Sequence, residues 1–354
     1  MTEKIDLASL DISELAEFLQ SINEPKFRAK QIFSWFSKGA SVGEMTNLSK
    51  GLREKLAEMS LDTLPKVKRK LVSKIDGTVK YLFELFDGEC VESVVMRYEH
   101  GNTICISSQV GCRMGCKFCA STIGGKVRDL RPSELLLQVA AAERDLGERI
   151  SNIVMMGIGE PLDNFDNVMK FLKLVNSEDG LNIGYRHISL STCGVVSGIE
   201  RLAEANLPIT LSISLHAAND TKRSEIMPIN RKWNIAALLD ACVKYYKVTG
   251  RRISFEYTLI SGKNDSVADA AELGALLKGA FRGTGAPIHV NLIRVNEVEE
   301  TAFKKGTRES VDAFSRRLSE FGVVATVRRR LGADVNAACG QLRRASSKLS
   351  EVEA

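Results

Sequence analysis

Apolar positions along this chain change their spacing twice. Over the first sixty or so residues they recur with helical period. Ser13 stands where an N-cap would start a helix through Glu14-Leu-Ala-Glu-Phe-Leu-Gln20. Pro25 opens a second through Lys26-Phe-Arg-Ala-Lys-Gln-Ile-Phe-Ser-Trp-Phe36, and Asn47-Leu-Ser-Lys-Gly-Leu-Arg starts a third. Phe27, Ile32, Phe33 and Trp35 read as the core of this small helical unit rather than as a binding stripe. From about Val67 the period falls to two. Val79-Lys-Tyr-Leu-Phe-Glu-Leu and Val91-Glu-Ser-Val-Val-Met read as strands joined by a turn at Asp87-Gly88.

Downstream, apolar strand-like runs alternate with helical stretches. Strands are expected at 153–156, 187–191, 209–215, 252–260 and 288–293. Helices are expected near 167–176, 198–205, 234–249, 267–277 and 309–321. Five or six such units, counting one that starts before residue 112, predict a parallel sheet with right-handed crossovers. The fold class is therefore α/β, a partial (open) β/α barrel with a small N-terminal helical accessory domain. In such barrels the loops at the carboxyl ends of strands carry the chemistry. The pattern divides the chain into 1–65, an RNA-binding helical accessory domain if a nucleic acid is the partner; 66–97, a β extension carrying Glu92; 98–345, the barrel; and 346–354, a tail expected to be disordered.

Composition narrows the class. At 354 residues the chain exceeds one ordinary core, which fits a large domain plus a small one. Hydrophobic content of 44% and charged content of 26% are those of a globular protein. No apolar run approaches the roughly 18 residues of a membrane span, and the first residues lack an export signal. A cytoplasmic protein with reduced cysteines is expected. The net charge of +5 is modest, but its distribution is uneven. Lys66, Lys68, Arg69 and Lys70 form one cluster, Arg328, Arg329 and Arg330 a second, and Arg343, Arg344 and Lys348 a third. One charge run is usually a solvated face; three favour a polyanionic partner.

The candidate chemistry starts at Gly111-Cys-Arg-Met-Gly-Cys-Lys-Phe-Cys-Ala120. Cys112, Cys116 and Cys119 have C-x3-C-x2-C spacing with no fourth cysteine nearby. Three thiolates suit a cubane iron–sulfur cluster with one iron left open to a substrate or cofactor. A structural zinc would want a fourth ligand in paired spacing, and His100, His187, His216 and His289 all lie more than 10 residues away in sequence. Inert thiols remain the other alternative. Gly157-Ile-Gly-Glu-Pro161, Thr192-Cys-Gly and His216 each follow an expected strand, where a barrel places its site.

These segments together resemble radical S-adenosylmethionine (SAM) enzymes, and more narrowly the RlmN-type adenine-C2 methyltransferases of ribosomal and transfer RNA. The matching stretches are Cys105-Ile-Ser-Ser-Gln-Val-Gly-Cys-Arg-Met-Gly-Cys-Lys-Phe-Cys119, Met155-Met-Gly-Ile-Gly-Glu-Pro161, Leu190-Ser-Thr-Cys-Gly-Val-Val196 and Ser212-Ile-Ser-Leu-His-Ala217. Met227-Pro-Ile-Asn230, Val290-Asn-Leu-Ile-Arg-Val-Asn296 and Asp334-Val-Asn-Ala-Ala-Cys-Gly-Gln-Leu342 complete them. The resemblance implies a [4Fe-4S] cluster on Cys112, Cys116 and Cys119, with SAM held by Gly159, Glu160, Ser191, Ser214, Leu215, His216 and Asn296. It implies two SAM molecules per turnover, one giving a methyl to Cys339 and one giving a 5′-deoxyadenosyl radical. Glu92 would accept the C2 proton, and Cys105 would resolve a covalent protein–RNA adduct through a transient disulfide. Met156 reads first as a strand-end core methionine, with a place in the pocket as the alternative. Partners implied are 23S rRNA, tRNA and an electron donor such as flavodoxin or ferredoxin, with the chain a monomer. A C8-methylating resistance relative shares these cysteines, although the Glu160-Pro161 pair fits the C2 enzymes better. A non-catalytic RNA-binding module with a structural metal is the alternative from another class.

Overall fold

The computed structural model describes residues 4–296, 302–338, 340–341 and 345–346. The N-terminal unit contains helices α1 (Ile12–Ser21), α2 (Arg28–Phe36) and α3 (Lys50–Met59). Asp11, not Ser13, caps α1. Its carboxylate accepts from the backbone N–H of Ser13 and Glu14, and Glu14 returns the bond to the Asp11 N–H at 2.8 Å. Lys170 and Lys173 also hold Asp11, so a tertiary contact selects the cap. Ile32 and Phe33 are buried as expected, but Phe27 is 64% exposed. It precedes α2, where its ring lies under the Arg28 guanidinium rather than in the core.

Strands β1 (Lys66–Val72), β2 (Val79–Glu84), β3 (Glu89–Tyr98) and β4 (Gly101–Cys105) form an antiparallel run. Beyond it the sheet turns parallel. β5 (Gln109–Gly111) and β6 (Lys126–Asp129) make a separate ribbon around the cysteine loop. Then follow α4 (Pro132–Leu146), β7 (Ile150–Met155), α5 (Phe165–Asn176), β8 (Ile188–Thr192), α6 (Val196–Ala205), β9 (Thr210–Ser214), α7 (Asp220–Ile226) and α8 (Ile235–Thr249). β10 (Ile253–Leu259), α9 (Val267–Ala280), β11 (His289–Arg294), α10 (Arg308–Glu320) and β12 (Val324–Val327) complete the series, and β13 (Ala345–Ser346) pairs with β3. The sheet runs β1-β2-β3-β4-β7-β8-β9-β10-β11-β12, so the barrel is open, with β1 and β12 at its edges. Six helical crossovers link β4 to β12. The pattern reading lacked α4, α7 and β12. Ser346, assigned there to the tail, lies in β13.

The barrel strands alternate apolar and polar side chains. Leu190, Leu211, Ile213, Phe255, Tyr257, Val290 and Leu292 are fully buried. Ser191, Ser212, Ser214, Ser254, Glu256 and Asn291 occupy the intervening positions and point to the other face. The helices cover the apolar face, which leaves a polar interior able to take a polar ligand. The edge strand β1 is exposed throughout and carries Lys66, Lys68, Arg69 and Lys70, charges that discourage edge-to-edge pairing. No helix among the described residues is long and apolar enough to cross a membrane.

Candidate active site

The cysteine loop is fastened before and after its thiols. The Cys112 N–H donates to the Gly125 carbonyl at 3.1 Å, Lys117 N–H to Ile226 O at 2.9 Å, and Ala120 N–H to Gly340 O at 2.8 Å. Cys112, Cys116 and Cys119 thereby line one cleft of about 930 Å³ at the carboxyl ends of the parallel strands. Gly159, Glu160, Ser191, Ser214, His216 and Asn296 line it with them, as does Met156. Leu215 does not. Its side chain is core, its N–H donates to Glu256 O at 3.1 Å, and its carbonyl accepts from Arg223 Nε at 3.0 Å.

The G-x-G turn needs both glycines because it runs against residues 106–109. A Cβ on Gly157 would sit 2.6 Å from the Ile106 carbonyl oxygen. One on Gly159 would meet Gln109 and Ser108 at 2.7 Å, at a φ of +109°. Glu160 is buried, and burial pushes its carboxyl pKa up. Its oxygens accept from Cys193 N–H at 2.7 Å and Leu162 N–H at 3.0 Å.

His216 is held in the left-handed region, φ +56°, and its Nδ1 accepts from the Thr258 N–H at 2.9 Å. The proton of the neutral ring is therefore on Nε2. Burial pushes its pKa down to about 3. The unfolded chain, with a histidine near 6.5, binds a proton that the native ring refuses. Stability is thus expected to fall as pH drops from about 6.5 toward 3, by at most about 1.4 kcal/mol per unit. A His216→Gln chain should show a flatter urea-midpoint profile over that window, and an unchanged slope would refute this.

Several residues here escaped the sequence reading. Glu256, on β10, is buried and lines the cleft. Its Oε1 accepts from Asn291 at 2.9 Å, whereas Oε2 has no hydrogen-bond partner among the described residues and lies 3.8 Å from Arg328. A carboxylate at a polar position of an alternating strand otherwise held by Ser254 and Thr258 was the available signal. An orphaned buried oxygen facing a cleft is what a hydroxyl or amino donor of a bound cofactor would satisfy. Arg223 is fully buried. It donates to the carbonyls of Cys193, Ser214 and Leu215 and to Asn230 Oδ1, tying together the ends of β8 and β9.

The thiols also fit the cluster that their spacing implies. Burial pushes Cys112 up to about 12 and Cys116 well above its ordinary value. Bare thiols here stay protonated, and only a strongly cationic group would hold them as thiolates. No three His, Cys, Asp or Glu side chains among the described residues are placed to share a single ion. Three thiolates on separate irons of a cubane need not be.

Cys105, at the end of β4, faces a second cavity that shares Met156, Ile293, Val295, Asn296 and Arg328 with the cleft. It packs with Val94, Ile158 and Ala337. Glu92 lines neither cavity. It pairs with Lys80 at 2.7 Å, and Lys80 also donates to the Asn336 carbonyl at 3.1 Å. Cys339 lies outside the described residues, but Ala338 lines the second cavity and Gly340 the cleft. Cys90, Cys193 and Cys242 are buried free thiols, of which Cys193 borders the cleft.

The family model described as the Radical SAM superfamily matches residues 106–274, and that of the ribosomal RNA large subunit methyltransferase N-terminal domain matches 5–61. Proteins named "Probable dual-specificity RNA methyltransferase RlmN" from Alkaliphilus oremlandii and Clostridium perfringens are 55% and 53% identical. Each match covers 97% of this chain and 98% of the relative. The crystal structure of a radical SAM methyltransferase from Sphaerobacter thermophilus superposes with a TM-score of 0.90 at 41% identity, covering 96% of this chain and 99% of that one.

Proposed function

The chain belongs to the RlmN family of radical SAM RNA methyltransferases, and from that we propose that it methylates C2 of an adenosine in 23S rRNA and in tRNA beside the anticodon. The observation that carries the reading is the joining of two cavities: the thiol-lined cleft shares a wall with the one that holds Cys105 and Ala338. Cys112, Cys116 and Cys119 would hold a [4Fe-4S] cluster, and the strand-end residues would hold SAM. Together these groups supply, when bound, a carbon radical able to take hydrogen from an unactivated C–H bond.

The chain's own residues have distinct tasks. Gly159 offers a backbone carbonyl and Glu160 a carboxylate to the cofactor's ammonium group. Ser191, Ser214, His216 Nε2–H and Asn296 supply hydrogen bonds to its remaining polar atoms, and Leu215 acts by positioning the backbone beside His216. An adenine C2 carbon is not nucleophilic, so the methyl is carried first on the Cys339 thiolate, one SAM serving as donor and a second as radical source. The Glu92 carboxylate, paired with Lys80 at 2.7 Å, would accept the C2 proton. Once the methyl carbon is bonded to C2, RNA is tethered through the Cys339 sulfur. The Cys105 thiolate then attacks that sulfur, and the S–CH2 bond breaks with its electron pair going to the methylene carbon, which takes up a proton to become the methyl group. The disulfide left behind is reopened by a cellular reductant. The adenosine must leave its stack to be reached. Naked or partly assembled rRNA suits that requirement, and a flavodoxin or ferredoxin would supply electrons to a monomeric, cytoplasmic enzyme.

The test is anaerobic reconstitution with iron, sulfide, SAM, a reductant and RNA fragments, followed by nucleoside mass spectrometry. 2-Methyladenosine is the expected product. 8-Methyladenosine would assign the chain to the C8 reaction, and a reconstituted protein that leaves RNA unmodified would overturn the reading.

A further inference from the structure

The cysteine loop borders a second depression, an open groove of about 960 Å³. Among the described residues Met114, between Cys112 and Cys116, is the one common to the linings of groove and cleft. The groove thus approaches the thiols through a single residue, and it shares no lining residue with the cavity that holds Cys105. Met114, Val195, Pro228, Ile229 and Trp233 make up its apolar lining, and exposed Arg113, Arg231 and Lys232 add positive charge to it. Asp163 is the single carboxylate of the lining, and it is engaged by both Arg113 and Lys126. The Lys232 ammonium lies 4.3 Å from the centroid of the Trp233 ring.

We infer that this groove is the docking surface for an acidic one-electron carrier protein of the flavodoxin or ferredoxin kind. The inference rests on the proposed reading of Cys112, Cys116 and Cys119 as cluster ligands. One electron leaves the carrier, which is oxidised by one equivalent, and enters the cluster; no bond of the chain is made or broken. A carrier must come and go between turnovers, and a small interface lined by both basic and apolar residues suits a weak, fast, electrostatically steered complex. Docking here leaves the cleft open to RNA, whereas docking at the cleft mouth would compete with it.

The experiment uses the reconstituted holoenzyme and an Arg231→Glu/Lys232→Glu double variant. Dissociation constants for a flavodoxin are measured at low and high salt, and methylation is driven in parallel by reduced flavodoxin and by dithionite. Expected is a tenfold or greater loss of flavodoxin affinity and of flavodoxin-driven rate, with the salt dependence flattened. Iron content, RNA affinity and dithionite-driven rate should stay within about twofold of wild type. An unchanged flavodoxin response overturns the inference, and so does an equal fall in the dithionite-driven rate. Loss of RNA affinity with flavodoxin affinity retained would make the groove an RNA surface instead. A wild-type protein that methylates with neither reductant would fail earlier, at the functional reading itself.

Discussion

A Cys105→Ala chain is expected to finish its first turnover with RNA still covalently attached, close to one RNA per protein. A Cys339→Ala chain should end with neither attached nor methylated RNA. The two outcomes differ because the residues act at opposite ends of the covalent step. In the proposed mechanism Cys339 is the carrier, so without its sulfur the methyl would never reach the protein. Cys105 is proposed to break the carrier–RNA bond, and it lies on β4 in the cavity that Ala338 also lines, packed against Ala337. No other described thiol lines that cavity, so none can substitute. Denaturing gels with labelled RNA, followed by mass spectrometry of the cross-linked peptide, provide the measurement. Methylation surviving in Cys339→Ala would refute the carrier role, and free, fully methylated RNA from Cys105→Ala would refute the resolving one.

The largest stability effect is expected at Arg223. Its guanidinium is buried and held by three backbone carbonyls and Asn230. Burial alone lowers its pKa, and the bonds keep the charge in place. Arg223→Met would relieve the buried charge but strand the carbonyls of Cys193, Ser214 and Leu215. A loss of about 3–5 kcal/mol, the scale for breaking a buried charged network, should appear in the urea midpoint of the cofactor-free protein. Arg223→Lys should not restore it, because an ammonium cannot span three carbonyls arranged for a planar fork. A midpoint shift worth under about 1 kcal/mol would show that the strand ends hold themselves.

Most barrel elements were legible in the pattern because strands buried on one face announce themselves by alternation, as in Ile188–Thr192 and Thr210–Ser214. The helix α4 was not. Its residues from Ser133 to Ala142 are buried all round, between the sheet and the N-terminal unit, which removes the polar stripe that marks a surface helix. The cap of α1 was misplaced by two positions because Asp11 is chosen partly by lysines about 160 residues away. Phe27 was misread because its apolarity says nothing of where α2 begins.

The candidate site divides the same way. The spacing of Cys112, Cys116 and Cys119, the glycines of the G-x-G-E-P turn and the alternation of the barrel strands are local properties. The sequence by itself therefore determined the family resemblance that implies the cofactor class, and the end of the barrel where the candidate residues gather. What only the tertiary structure decided is how distant groups meet. It pairs Glu92 with Lys80, which also donates to the Asn336 carbonyl, places Cys105 in a cavity sharing a wall with the cleft, and brings Glu256 and Arg223 to the strand ends of the site. Those relations depend on charges and carbonyls that must be satisfied in the interior once water is excluded, and no local pattern of residues records which distant partner will satisfy them.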